Sequence, residues 1–162
     1  MEQTEAKIKL LSKDGKEFEI ARTLAEESKT LKDMLDDLPD VTTAIPLESI
    51  SSETMEKIIE YLQKAAQDPP TILEHDTIEN EKPWETEFMT PMLPNSPILF
   101  DLTLASNFLD IKTLYRCCTR NIAKCLRNKS PEEIRATYNL DDDLSPEEKE
   151  QIKKENAWFE EN

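Results

Sequence analysis

The sequence predicts an α+β fold, a small three-stranded sheet packed on helices and extended by further helices toward the C-terminus. Three observations carry this reading. Two β-rich runs, Lys7 to Leu11 and Lys16 to Ile20, flank Asp14-Gly15, whose easy access to positive φ favours a tight hairpin. Apolar residues then recur at three- and four-residue spacing after Thr23 and again after Glu53. From Ser96-Pro97 onward the pattern is wholly helical.

Taken in order, Thr23 to Leu38 places Leu24, Ala25, Leu31, Met34, Leu35 and Leu38 between charges and predicts one or two short helices. Ala44-Ile45-Pro46-Leu47 is too short and Pro-interrupted for a helix, and suits a third strand with its Pro at an edge or strand end. Ser51 or Ser52 offers a cap for an amphipathic helix that carries Met55, Ile58, Ile59 and Leu62 on one face and stops before Asp68-Pro69-Pro70. The first half therefore reads β-β-α-β-α.

Residues 66–90 hold seven acidic groups, one Lys and three prolines. Such a segment buries too little apolar surface to offset its ordering entropy, so a mobile loop is expected. Trp84, Phe88 and Met89 predict a short anchoring helix at its end. Beyond Pro91, Pro94 and Pro97, Ser96 is placed to cap a helix over Ile98 to Leu109. Asp110 is expected to cap the next one. There Ile111, Leu114, Tyr115, Cys118, Ile122, Cys125 and Leu126 form a core-facing stripe, with Lys112, Arg116 and Arg120 outside. The tail repeats one pattern, Ser130-Pro131-Glu132-Glu133 and Ser145-Pro146-Glu147-Glu148, the signature of a capping Ser, Pro in the first turn and Glu at the third position. The chain thus divides into 1–65, 66–97, 98–128 and 129–162.

Composition removes several function classes. With one Gly there is no glycine-rich phosphate loop. Thirty-five acidic against 20 basic residues, a formal charge of −15, oppose nucleic-acid binding. Cys117, Cys118 and Cys125 lie in one helical segment with no CxxC pair or neighbouring His, and read as reduced thiols. His75 sits in the acidic loop, where Glu74, Asp76 and Glu79 lack any evident geometry for a metal. No catalytic residue, metal or cofactor is assigned. The start of the chain lacks a basic stretch followed by a long apolar run, and no segment approaches the ~18 apolar residues that span a bilayer. A soluble intracellular protein without membrane contact is expected.

The last helix has few apolar groups of its own yet ends in Trp158-Phe159, large aromatics of the kind that anchor interfaces. Either a partner supplies the missing half of a core, or Trp158 folds back to seal the domain's own edge.

Several segments taken together resemble the Skp family of adaptors in SCF-type ubiquitin ligases. They are Ile8-Lys9-Leu10 with Asp14-Gly15, Trp84-Glu85-Thr86-Glu87-Phe88, Leu99-Phe100-Asp101-Leu102, Ala105 through Lys112, Ser130 through Arg135, and Lys154-Glu155-Asn156-Ala157-Trp158. The resemblance spans nearly the whole chain. It implies a BTB/POZ fold with C-terminal F-box-binding helices, and a non-catalytic adaptor of the cytoplasm and nucleus. A cullin N-terminal region would dock on the BTB/POZ half and the helix ending at Leu109, and F-box proteins on the later helices. The RING subunit and ubiquitin-conjugating enzyme would arrive through the cullin.

Position by position, the cullin contact falls on Asn107 and Phe108, where the family commonly has Asn-Tyr; an ordinary core residue is the alternative for Phe108. Loss of the phenolic hydroxyl removes one neutral hydrogen bond, about 0.5–1.5 kcal/mol. The F-box positions are Phe100, Leu114, Ile122, Leu126, Ile134, Tyr138 and Trp158. Some of these must be domain core, and Ile122, Ile134 and Trp158 are the ones expected to face the partner. Phe159, where the family often has a smaller residue, would edge that surface. The connection from Met89 to Ile98 is longer and richer in Pro than the family pattern. Two competing readings are an elongin-C-type adaptor, which should lack the long tail, and a self-associating BTB scaffold, which should show a dimer surface.

Overall fold

In the computed structural model, which describes residues 6–37, 43–70 and 81–157, strand β1 (Lys7–Ser12) turns Ile8 and Leu10 inward and Lys7 and Lys9 outward. This is the period of a half-buried strand. Strand β2 (Glu17–Ala21) pairs with it antiparallel, Ile8 opposite Ile20 and Leu10 opposite Phe18. Strand β3 (Ile45–Leu47) pairs parallel on the other side, Leu10 opposite Ile45. The order β2-β1-β3 leaves Pro46 on an edge strand, where Pro is tolerated.

The hairpin turn falls where the sequence places it, with Gly15 at φ +81°. It also holds the helix that follows β3. The amide of Lys13 donates to the Ile50 carbonyl at 2.8 Å, and Asp14 accepts from the Ser52 amide at 2.8 Å and from the Ser52 hydroxyl. Ser52 opens α3 (Ser52–Gln67), so a carboxylate fills part of the vacancy that a helix N-terminus leaves and favours. Ser51 caps the same helix by accepting from the Thr54 amide.

Hydrogen bonds from Ser52 and then Ser12 hold the Asp14 carboxyl down at about 2. An unfolded Asp titrates near 3.9, so this contribution is fully present above about pH 4 and is lost as pH falls toward about 2. Asp14→Asn is therefore expected to flatten the fall in melting temperature between about pH 4 and pH 2. Equal acid slopes for variant and wild type would count against this linkage. The effect is small, because Asp14 is solvent-exposed.

Among the described residues of 1–127 the remaining helices are α1 (Arg22–Ala25), α2 (Lys29–Asp37), α4 (Pro83–Met89), α5 (Pro97–Phe108) and α6 (Lys112–Leu126), with a 3-10 turn at Thr90–Met92 after α4. One apolar cluster joins the inner face of the sheet to these helices. At its centre Tyr61, fully buried, stacks obliquely on Trp84 at 5.2 Å and Phe88 at 5.6 Å. The anchoring helix expected at 84–89 is thus α4, held by aromatic contact with α3. The 3.6-residue period named Ile59 on the inner face of α3; Ile59 is only partly buried, and Tyr61 takes the central place.

Residues 128–162 form a second compact unit. Its helices α7 (Pro131–Tyr138) and α8 (Pro146–Glu155) each begin with the capping box that the repeated Ser-Pro-Glu-Glu predicts. Ser130 accepts from the Glu133 amide at 3.2 Å while Glu133 accepts from the Ser130 amide at 2.8 Å; Ser145 and Glu148 repeat this at 3.3 and 2.8 Å. Among its described residues none is buried.

Candidate protein-docking surfaces

Helix α5 is apolar on both sides. Leu99, Leu102 and Ala105 are buried, yet Phe100, Leu104 and Phe108, spaced by four residues, are 39, 68 and 51 % exposed. A helix that is hydrophobic all round is normally enclosed. Half of this one is not. Asn107 is exposed at the same end. Phe108 is therefore no core residue. Leu104, absent from the candidates drawn from the sequence, lies between two residues that are among them, and its i+4 spacing was the available signal.

The C-terminal end of α5 is fixed by α2. Ser28 is fully buried, accepts from the Leu31 amide at 3.1 Å and donates to the Leu109 carbonyl at 2.5 Å. Thr30 donates to the Phe108 carbonyl at 3.0 Å. One serine thus starts α2 and satisfies a carbonyl that the end of α5 leaves open. Asp110 does not cap α6. It takes φ +49° and lets the Ile111 amide reach the Ser106 carbonyl at 2.9 Å, closing α5 with a left-handed residue. Beside Leu104 and Phe108 lies a cleft of about 350 Å³, also lined by Lys13, Ser51, Thr54 and Asp101.

On α6 the core stripe differs from the one expected. Ile111, Leu114, Cys117, Cys118 and Asn121 are buried, whereas Tyr115 is 40 % and Leu126 37 % exposed and Ile122 is half-buried. The cause is polar. The Asn121 amide donates to Glu81 at 2.5 Å and to the Cys117 carbonyl at 2.9 Å, Lys124 pairs with Glu81, and Arg120 approaches the buried Glu85 at 4.0 Å. Arg120, expected outside, is thus turned in toward these carboxylates. Burial would raise the Glu81 carboxyl, but Lys124 and Asn121 outweigh it and hold it low.

Leu114 is 0 % exposed and leaves a partner no surface to touch. Tyr115, Ile122 and Leu126 are the apolar groups that α6 presents. Burial lifts the Cys118 thiol to about 12 and pushes Cys117 up as well, so neither is a thiolate nucleophile near neutral pH.

In the second unit Ile134 and Tyr138 are half-buried one turn apart on α7, while Leu140 and Ile152 are 56 and 44 % exposed. Trp158 and Phe159, like His75 with Glu74, Asp76 and Glu79, lie outside the described residues. Among the described residues no group of three or more His, Cys, Asp or Glu is placed to hold a metal, and no helix is long and apolar enough to cross a membrane.

Known proteins similar to this chain cover nearly its whole length. Residues 6–67 match the family model described as Skp1 family, tetramerisation domain, and residues 112–159 match that described as Skp1 family, dimerisation domain. The chain is 39 % identical over 160 residues to the E3 ubiquitin ligase complex SCF subunit sconC of Arthroderma otae, covering 96 % of this chain and 95 % of that protein. It is 38 % identical over 161 residues to the suppressor of kinetochore protein 1 of Schizosaccharomyces pombe, covering 96 % and 98 %. It is 38 % identical over 159 residues to the SCF ubiquitin ligase complex protein SKP1a of Dictyostelium discoideum, covering 94 % and 95 %.

Proposed function

Because this chain belongs to the Skp1 family, we propose that it is the adaptor of an SCF-type ubiquitin ligase, holding a cullin on one surface and an F-box substrate receptor on another. It is a non-catalytic component, in keeping with relatives named as SCF subunits. The RING subunit and ubiquitin-conjugating enzyme join through the cullin, and the work is done in the cytoplasm and nucleus.

The observation that carries the cullin half is the outer face of α5. Leu104 and Phe108, one turn apart with Asn107 beside them, stand at an end of the helix whose backbone Ser28 and Thr30 fix from the neighbouring helix, while Phe100, one turn earlier on the same face, keeps its place among the F-box positions. Such a preset apolar row suits a partner helix. The F-box half is assigned to the outer face of α6 and to the tail. Support for the tail is that α7 and α8 are capped at their starts while none of the unit's described residues is buried. Helices of two or three turns are marginal without tertiary packing, and a partner can supply it. An elongin-C-type reading leaves these helices without a role.

The test is affinity capture on the full-length chain with a cullin N-terminal segment and with an F-box domain. Asn107→Ala combined with Phe108→Ala is expected to weaken cullin capture at least about ten-fold and keep the F-box domain, since anchor residues carry most interface energy. Trp158→Ala is expected to do the reverse. Loss of both partners by both variants would overturn the two-surface reading.

A further inference from the structure

From Ile111 to Pro131 the chain has six Lys or Arg and no Asp or Glu, although over its whole length acids outnumber bases by 35 to 20. Elsewhere cations are widely matched to carboxylates, as in Lys7 with Glu19, Lys16 with Glu56, Arg22 with Glu26 and Arg135 with Asp142. Within α6, Arg120 and Lys124 are taken by Glu85 and Glu81. Lys112, Arg116 and Arg127 are exposed and pair with no carboxylate among the described residues.

At 100° per residue, Lys112 and Arg116 lie about 40° apart on α6, and Arg127, the residue that follows its last turn, projects within about 60° of Lys112 roughly 22 Å along the axis. Tyr115, Ile122 and Leu126 occupy the adjoining arc of about 40°. The outer face of α6 is thus split lengthwise into an apolar row and a cationic row, in a molecule that is acidic overall. The complement of that face is a segment with an apolar row flanked by carboxylates.

We propose that the cationic row of α6 makes this adaptor selective for F-box domains that carry Asp or Glu along the flank facing Lys112, Arg116 and Arg127, and that it rejects those carrying Lys or Arg there. This rests on the assignment of α6 to F-box binding. Charges flanking an apolar contact mainly set partner choice, on-rate and salt dependence, and a like-charged partner is penalised as much as an opposite one is favoured. Screening over roughly 8–10 Å at ordinary ionic strength confines the remaining acidity of the chain to a background, while groups in contact still act.

Isolated F-box domains of acidic and of basic flank are titrated into the full-length chain at about 50 and 300 mM salt. Wild type is expected to favour the acidic domain by about ten-fold at low salt and less at high salt. Arg116→Glu with Arg127→Glu should invert that order. If the reversal disturbs folding, Arg116→Gln with Arg127→Gln should abolish the preference instead. Equal affinities for both domains, in wild type and variant alike, would sink the selectivity and leave the F-box assignment standing. Failure of wild type to bind any F-box domain would sink both. An RNA duplex that binds wild type and not the double variant, with F-box affinities unmoved, would make the row a phosphate-binding surface and overturn the proposal.

Discussion

Replacing Leu104 by Asp is expected to weaken binding of a cullin N-terminal segment by at least about 100-fold, equivalent to about 2.8 kcal/mol, while leaving F-box binding and thermal unfolding close to wild type. Leu104 is 68 % exposed in the free chain, so its removal costs the fold little; exposed substitutions usually stay within about 0.5 kcal/mol. In the proposed complex its place is different. It sits one turn before Phe108, where an apolar anchor typically carries about 2 kcal/mol or more. The carboxylate adds the cost of taking a charge out of water without a partner. Calorimetric titration measures the loss. Cullin affinity within two-fold of wild type would remove α5 from the interface.

The opposite outcome is expected for Leu114→Ala. Leu114 is wholly buried, and deleting three carbons from a packed core costs about 2–5 kcal/mol in lost transfer energy and residual cavity. Urea unfolding of the free chain should show that loss as a lower midpoint at unchanged slope. F-box affinity per folded molecule should stay at the wild-type value. Leu126→Ala, at a position 37 % exposed, is expected to cost the free chain less than about 1 kcal/mol and to act on binding instead. Were Leu114 a partner contact, the two variants would exchange behaviours, and that result would return it to the docking surface.

The contrast between these two leucines shows where reading by pattern stops. Both lie in helices that the sequence places correctly, and both satisfy helical spacing. For Leu104, nothing in the period distinguishes a second apolar face from a core face in a helix that is apolar all round. Leu114 is one of the F-box positions implied by resemblance, some of which must be core, and periodicity also puts it in the stripe that packs inward. Only the positions of the neighbours decide such cases. For α6 the deciding neighbours are Glu81 and Glu85, more than 30 residues earlier in the chain, which draw in Arg120, Asn121 and Lys124 and turn Tyr115 toward solvent. Asp110 is a further instance. Its sequence context suits a cap, but the close succession of α5 and α6 requires a left-handed residue there, and Asp is among the few that tolerate one.

What the sequence determined by itself is whatever depends on a few adjacent residues. Asp14-Gly15 set the hairpin, because only Gly takes φ +81° without strain. The two Ser-Pro-Glu-Glu segments set the starts of α7 and α8, because the groups that close each capping box lie three residues apart. The excess of charge and the lack of a glycine-rich loop set the function classes that remained. The tertiary structure decided which apolar faces are core and which are offered to partners, since burial is a property of what lies across the contact. It decided in the same way that a carboxylate from the hairpin meets the first turn of α3, that Ser28 holds the end of α5, and that α6 carries an apolar row beside a cationic one that no carboxylate among the described residues pairs.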